Sequence, residues 1–485
     1  MFFVRAIIAI ILAWLYSFSQ ASAALPELPD MGASSETLFS PEEEKRLGEA
    51  FYRNLHQHVK ISQDPEIQDY IASLGGRLVT HSDMANRTFR FFVVVQPNIN
   101  AFAGPAGYIG VNSGLILATQ SESELAAVLA HEIAHVTQHH LQRAFAAARR
   151  MTLPLAAATL AAILIGTQTP ELGQAAIIAV QAGSLQHQIN FTRSHEQEAD
   201  RVGIQLLAES GFDPRSMPLF FERLQQSSRF FGQDIPEFLR THPVTSARIA
   251  DTRARAETFP YRQYLDSFSY LLTKTKLQVL TAPELDALQK SFAAQRQQGT
   301  EEAKAAASYG LALVLKAKNQ LEPSRQMLAA LLDRFPDQPQ FIHALAQVEL
   351  ALGQTEQGLK RYQTALDRFP AARVLRLEYA EALLEAKHFE AARQLLEPLV
   401  LTHASQQPLL FKLLSHAYAG LNQLAQSQRY LAEYHYASGD IKQAIEHATI
   451  ALKLAKGDRF LEAITEQRLR DFQAEDKERQ ALEDR

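Results

Sequence analysis

Apolar and polar positions change their spacing several times along the chain, and each change marks an element. Pro41 opens a charged helical stretch, Glu42 to Gln57, and Asp64-Pro65-Glu66 starts a second helix, Ile67 to Leu78. Phe89 to Gln96 is rich in Phe and Val and predicts a strand. A turn-rich run, Asn98 to Gly107, leads into a shorter strand, Tyr108 to Val111, and a helix is predicted from Glu122 to about Arg150. From Met151 onward Glu171 is the one charged residue before Arg193. Within that stretch, Leu155 to Ile165 and Ala175 to Ala182 predict an apolar helical hairpin. Each arm is too short or too interrupted to span a bilayer, which leaves a buried core hairpin or a surface docking on a membrane or another protein.

After about Pro260 the pattern is helical throughout. Phe335-Pro336 recurs as Phe369-Pro370, 34 residues later, and Leu352-Gly353, Glu385-Ala386 and Ala419-Gly420 recur at 33 and 34 residues. That period, with small residues at helix turns and Pro closing each unit, is the tetratricopeptide signature. The spacing predicts about four units from Glu301 to Gln473, with the register slipping where Gly439 follows Gly420 by only 19 residues. The fold class is therefore mainly α: a helical domain with a small β-sheet, followed by an α-helical solenoid. Its divisions are 41–265 for the first domain, 266–300 for a helical connector, 301–475 for the repeats and 476–485 for a charged tail.

Composition narrows the function. A chain of 485 residues is long enough for two or three cores, and a formal charge of −5 offers no basic excess for nucleic acid. Arg5, the uncharged run Ala6 to Phe18 and Ala21-Ser22-Ala23 describe a signal peptide over residues 1–23, with a polar linker over 24–40. The alternative is a short anchor that stays uncleaved. Such a leader implies export from the cytoplasm. With no cysteine there is no disulfide, thiol nucleophile or thiolate metal site, so any metal is held by His and carboxylates.

His131-Glu132-Ile133-Ala134-His135 is the strongest chemical signal. Positions i and i+4 share one helix face, so two imidazoles reach one zinc ion, and Glu132 is placed to act as general base on a water. A third ligand is needed. Gln138 and Leu141 stand where a metzincin needs Gly and His, so the third ligand is a carboxylate from elsewhere. Glu196-Gln197-Glu198-Ala199-Asp200 is either a solvated acidic helix face or the source of one, with Glu196 closing the metal shell, Asp200 orienting a ligand His through its second nitrogen, and Glu198 structural. His139 and His140 lie one turn beyond His135, too far along the helix to share its metal, and suit hydrogen bonding.

These motifs, with Asn100 to Gly114, Arg193 to Asp200 and Thr241-His242-Pro243 in this order, resemble the gluzincin peptidases that include the CAAX prenyl protease, the HtpX membrane protease and the mitochondrial Oma-type protease. The resemblance implies a zincin-type endopeptidase with one Zn2+ per chain, ligands His131, His135 and Glu196, and base Glu132. With the leader and the repeats, it further implies a periplasmic location, with unfolded or misassembled outer-membrane proteins as substrates. The repeats would then dock on the barrel-assembly complex, and residues 151–190 would give a possible peripheral membrane contact.

Two roles stay open in the sequence. Tyr108, Ile109, Gly110 and Val111 form either a substrate-binding edge strand or an ordinary hairpin strand. His242, stiffened by Pro243, is a fourth metal ligand that holds the enzyme latent, an oxyanion-stabilising group, or a histidine bonded to backbone.

Overall fold

Side-chain caps fix where the first helices begin. The Ser40 hydroxyl accepts the Glu43 N–H at 3.3 Å while the Glu43 carboxylate accepts the Ser40 N–H at 2.8 Å, which starts α1 (Pro41–His58). Asp64 Oδ1 accepts the N–H groups of Glu66 and Ile67 at 3.0 and 3.1 Å and starts α2 (Pro65–Val79). The structure is a computed structural model that describes residues 40–144, 160, 193–230, 236–401 and 408–483. The leader and the linker as far as Phe39 lie outside the described residues, as does all of the apolar hairpin except Leu160.

Three strands follow: β1 (Arg90–Val94), β2 (Ala101–Ala103) and β3 (Tyr108–Asn112), in the spatial order β1-β3-β2. β3 runs parallel to β1 and antiparallel to β2. This corrects the edge-strand expectation for Tyr108, Ile109, Gly110 and Val111. Both sides of that strand are already paired, so its backbone cannot receive another strand. The short β2 is an edge of the sheet. Asn112 N–H bonds Asn100 C=O at 3.0 Å and Gly104 N–H bonds Tyr108 C=O at 2.6 Å. Hydrogen-bonding direction alternates along an antiparallel pair, so the peptide groups of Ala101 and Ala103 face away from β3.

After α3 (Ser113–Ala118), Ser121 caps α4 (Glu122–Thr137), a helix whose described side chains are almost all buried. The predicted continuous helix to about Arg150 is broken. His139 adopts φ 55°, its N–H bonds Val136 C=O at 3.0 Å, and the chain turns before α5 (His140–Ala144). The domain is completed by α6 (Arg193–Glu209), α7 (Ser216–Phe230), α8 (Glu237–Thr241) and α9 (Ser246–Glu257). One core joins Ile71 and Leu74 of α2, Val93 and Val111 of the sheet, Leu129 and Ile133 of α4, Ile204 and Leu207 of α6, and Phe220 and Phe238. Gly203 sets the α4–α6 spacing, because a Cβ there would lie 3.2 Å from His131 N and 3.3 Å from Ala130 C.

Helices α10 (Phe268–Thr281) and α11 (Leu285–Gln295) lead into five helix pairs rather than four. These are α12 (Glu301–Ala317) with α13 (Leu321–Arg334), α14 (Pro339–Ala351) with α15 (Thr355–Arg368), and α16 (Arg373–Glu385) with α17 (Phe389–Val400). Then come α18 (Pro408–Gly420) with α19 (Leu424–Ala437), and α20 (Ile441–Leu454) with α21 (Arg459–Glu483). A left-handed residue turns the chain inside each pair: Asn319, Gly353, Lys387, Asn422 and Gly457. The apparent slip at Gly439 is the turn between the fourth and fifth pairs, while Gly457 keeps the period. The expected charged tail is helical to Glu483.

The repeats return to the first domain at two places. Glu378 of α16 approaches Glu66 of α2, and in the last pair Glu475 meets Arg53 of α1 at 3.2 Å, with the Arg53 guanidinium 4.5 Å from the Tyr436 ring. Among the described residues no helix is long and apolar enough to cross a membrane.

Candidate metal centre

Helix α4 projects His131, Glu132 and His135 from its buried length, α6 brings Glu196 and Asp200 against them, and the turn after α8 adds His242. His131 Nε2 and His135 Nε2 lie 3.0 Å apart. Glu196 Oε2 is 3.5 Å from the first ring and Oε1 is 3.5 Å from the second. His242 Nδ1 is 3.1 Å from Glu196 Oε1 and 3.3 Å from His131 Nε2. All four side chains are buried, and their ligating atoms lie within 4.8 Å of one another.

The donor set fits a cation. Metal bonds of about 2.0–2.2 Å in a tetrahedral shell put neighbouring ligand atoms about 3.3–3.6 Å apart. The tautomers point the same way. His131 Nδ1 lies 3.0 Å from Asp200 Oδ1, off the ideal hydrogen-bond line, and His135 Nδ1 lies 2.8 Å from His140 Nδ1, whose other nitrogen meets Glu198 Oε2 at 3.0 Å. With protons on those outer nitrogens, the two Nε2 atoms face each other across 3.0 Å, an arrangement that needs positive charge, a proton or a metal ion, between them.

Electrostatics agree. Burial opposes protonation of His131, but hydrogen bonds to Asp200 and Glu196 outweigh it and raise the pKa to about 9. His135 is held well below the ordinary range, first by burial and then by charge on His131. Burial would raise Glu196, yet His242 and the hydrogen bonds from His131 and His242 hold it well below the usual carboxylate range. Glu132 is raised, chiefly by burial, and its Oε1 is buried without a hydrogen-bond partner. A proton acceptor thus stands beside a cation-seeking pocket, with its Oε1 3.5 Å from His242 Nε2.

Comparison with known proteins decides what such a cluster belongs to. Residues 65–256 match peptidase family M48, and residues 349–417 match the tetratricopeptide repeat. The putative beta-barrel assembly-enhancing protease of Vibrio cholerae is 34% identical over 89% of this chain and 89% of its own length. The chain belongs to peptidase family M48. The beta-barrel assembly-enhancing protease of Yersinia pestis is 33% identical over 86% of both chains. The mitochondrial metalloendopeptidase OMA1 of Schizosaccharomyces pombe is 30% identical over 42% of this chain and 59% of its own. This M48 chain is a metalloendopeptidase with a tetratricopeptide-repeat region.

Within the M48 site, the structure brings together His131, Glu132, His135, Glu196, Asp200 and His242, while Glu198 turns to His140. Tyr108 to Val111 lie one strand further back. Arg248 of α9 is the residue that sequence reasoning missed. Its Nε and Nη2 bond Asp200 at 2.7 and 2.8 Å, and its Nη1 reaches Glu196 Oε2 and Pro243 C=O at 2.8 and 2.9 Å. One buried guanidinium thus ties both α6 carboxylates to the His242 turn. Two buried carboxylates one helical turn apart call for a cation. That cue was available, but the partner lies 48 residues away from Asp200, beyond any local spacing.

Proposed function

We propose that this M48 peptidase is zinc-dependent and works in the periplasm after export by the leader over residues 1–23. It cleaves misfolded or stalled outer-membrane barrel proteins and assists their assembly, with the repeats docking it on the barrel-assembly machinery. The observation that carries this reading is identity of 33–34% extending over the peptidase and repeat regions together in relatives named as beta-barrel assembly-enhancing proteases.

His131, His135 and Glu196 would hold the zinc. When bound, that ion lowers the pKa of a water and polarises the scissile carbonyl. Glu132 takes and returns the proton, its raised pKa bringing it towards neutrality, where a general base is most effective. Asp200 holds His131, Arg248 holds Asp200 and Glu196, and His140 holds His135, so each proposed ligand has a fixed direction. The substrate lies extended along the outward peptide groups of β2. An apolar cavity beside His135, lined by Leu47, Ala103, Pro105, Val136 and Leu160, receives a side chain. His242 would act as a latch: its Nδ1 lies in the cluster and its Nε2 3.5 Å from Glu132 Oε1, so its ring would fill space that a working metal site leaves to water and substrate.

The test is digestion of an unfolded barrel protein by the purified full-length chain. Cleavage should stop with a zinc chelator, return with zinc, and leave folded soluble proteins intact. Cleavage that persists through chelation would remove the metal reading, and equal cutting of folded proteins would remove the substrate reading.

A further inference from the structure

A second knot of buried ionisable side chains lies where the repeats meet α2, and the peptidase chemistry uses none of it. Glu66 stands in the first turn of α2, His343 on α14 and Glu378 on α16, with 5%, 7% and 3% of their surfaces exposed. Their ligating atoms also lie within 4.8 Å of one another. Lys276 of α10 reaches Asp64 Oδ2 and Glu66 Oε2, both at 2.6 Å.

Lys276 does not complete the cluster. Glu66 Oε1, both carboxylate oxygens of Glu378 and the Tyr309 hydroxyl are buried with no hydrogen-bond partner, and Tyr309 has no exposed surface at all. His343 Nδ1 is approached by the Tyr362 hydroxyl at 2.6 Å and by Glu378 Oε2 at 3.0 Å, the latter without hydrogen-bond alignment. One ring nitrogen offers one proton or one lone pair and cannot satisfy both. Formal charge gives the size of what is missing. Three carboxylates, from Asp64, Glu66 and Glu378, against one ammonium leave −2 in a water-poor interior, which is the charge that one divalent cation cancels.

We propose that Glu66, His343 and Glu378 form a second divalent-cation site, which staples the repeats to the peptidase domain. One imidazole with two carboxylates is a donor set for a first-row ion such as Zn2+ or Mn2+, whereas Mg2+ and Ca2+ take oxygen throughout. Lys276, anchored on the other oxygen of Glu66, orients that ligand, and the Tyr309 hydroxyl completes the polar lining. A cavity of about 330 Å³ gives a route in from solvent. Glu378, Glu381 and Glu385 line it, a wall that attracts cations, with Lys316 and Gln347 beside them. Because the three ligands come from three helices on both sides of the boundary, the ion would fix how the second and third repeat units sit on α2.

Metal counting on the full-length chain tests this. Wild type loaded with Zn2+ or Mn2+ and then dialysed should carry about two equivalents, and His131→Ala/His135→Ala about one. Adding Glu378→Gln to that double variant should leave almost none. In the double variant a chelator should lower the melting temperature, and Glu378→Gln should abolish that response. Glu378→Gln is close to isosteric and removes a buried charge, so without a cation it should leave stability unchanged or raise it. His343→Gln is the second variant, and it should lose the same equivalent should Glu378→Gln fold poorly. The proposal is overturned if the double variant holds no Zn2+ or Mn2+ and its melting temperature ignores the chelator. Retention of the equivalent in both Glu378→Gln and His343→Gln also overturns it.

Discussion

The two buried clusters, one at the peptidase site and one under the repeats, are made from similar residues and assembled in opposite ways. At the peptidase site His131, Glu132 and His135 come from one helix, Glu196 and Asp200 from another, and Arg248 binds both carboxylates of the second. Under the repeats, Asp64, Glu66, Lys276, His343 and Glu378 are drawn from places across more than 300 residues of chain. The first cluster has a neighbouring group behind nearly every ligand and leaves two polar atoms without a hydrogen bond, His131 Nδ1 and Glu132 Oε1; the second leaves four. A site built for chemistry must hold its groups to a fraction of an ångström, and local spacing plus outer hydrogen bonds does that. A site that joins domains needs only to favour the joined state.

The largest effect expected from breaking that contrast is on rate. Glu132→Gln should retain metal and fold while peptide hydrolysis falls by about 10³-fold or more, because the base is lost and the holding groups are not. Cleavage near the wild-type rate at unchanged metal content would end the assignment of Glu132. Next come the two organising cations. Arg248→Leu leaves Glu196 and Asp200 without their shared partner and should cost about 3–5 kcal/mol, read by chemical denaturation, with metal affinity falling alongside. Lys276→Met should cost less, about 3 kcal/mol, since only one side of its cluster is tied to it. Equal losses for the two would erase the difference drawn between the clusters.

Smaller again is the effect of His242→Ala. A latch predicts a several-fold rise in turnover of an unfolded substrate, or self-cleavage, with metal content unchanged. A fall of about 10²–10³-fold would make His242 an oxyanion group instead. The smallest expected change is for Arg53→Ala at the outer contact with Glu475 and Tyr436. It should cost about 1 kcal/mol, measured as the shift in denaturation midpoint, because the pair is partly exposed and the ring contact is weak.

The same contrast explains what was legible in the sequence. His131, Glu132 and His135 could be placed together because an i, i+4 spacing specifies a face of a helix, and Glu196 with Asp200 followed for the same reason. The mainly α architecture and the repeat region were readable from period. Strand order was not: Tyr108 to Val111 carries the stronger strand pattern and invites an edge role, yet the three-residue β2 takes that place, and alternation alone says nothing of neighbours. The break at His139 was hidden because neither Gly nor Pro marks it. About four repeat units are read where five stand, because Gly439, which turns the chain between the fourth and fifth pairs, looks like a slip of the period, and the turn at Asn319 carries no small-residue mark. The Glu66–His343–Glu378 knot was invisible, and the cation that Glu196 and Asp200 call for could not be placed at Arg248, since both depend on contacts that only the folded chain makes.

The two returns of the repeats to the first domain, near Glu378 and at Glu475, carry a mechanical consequence. A solenoid attached at one end is a cantilever: a load on its tip bends it, and the single root carries the whole load and the largest bending moment. Attached at two points it is a beam on two supports, much stiffer between them, and a pull on the fourth unit is shared by both. Release of either support returns the beam to a cantilever and lowers its stiffness abruptly. Partner binding on the span between α16 and α21 would therefore be transmitted directly to α1 and α2. Those helices are joined to the sheet whose outer edge, β2, lies beside Glu132.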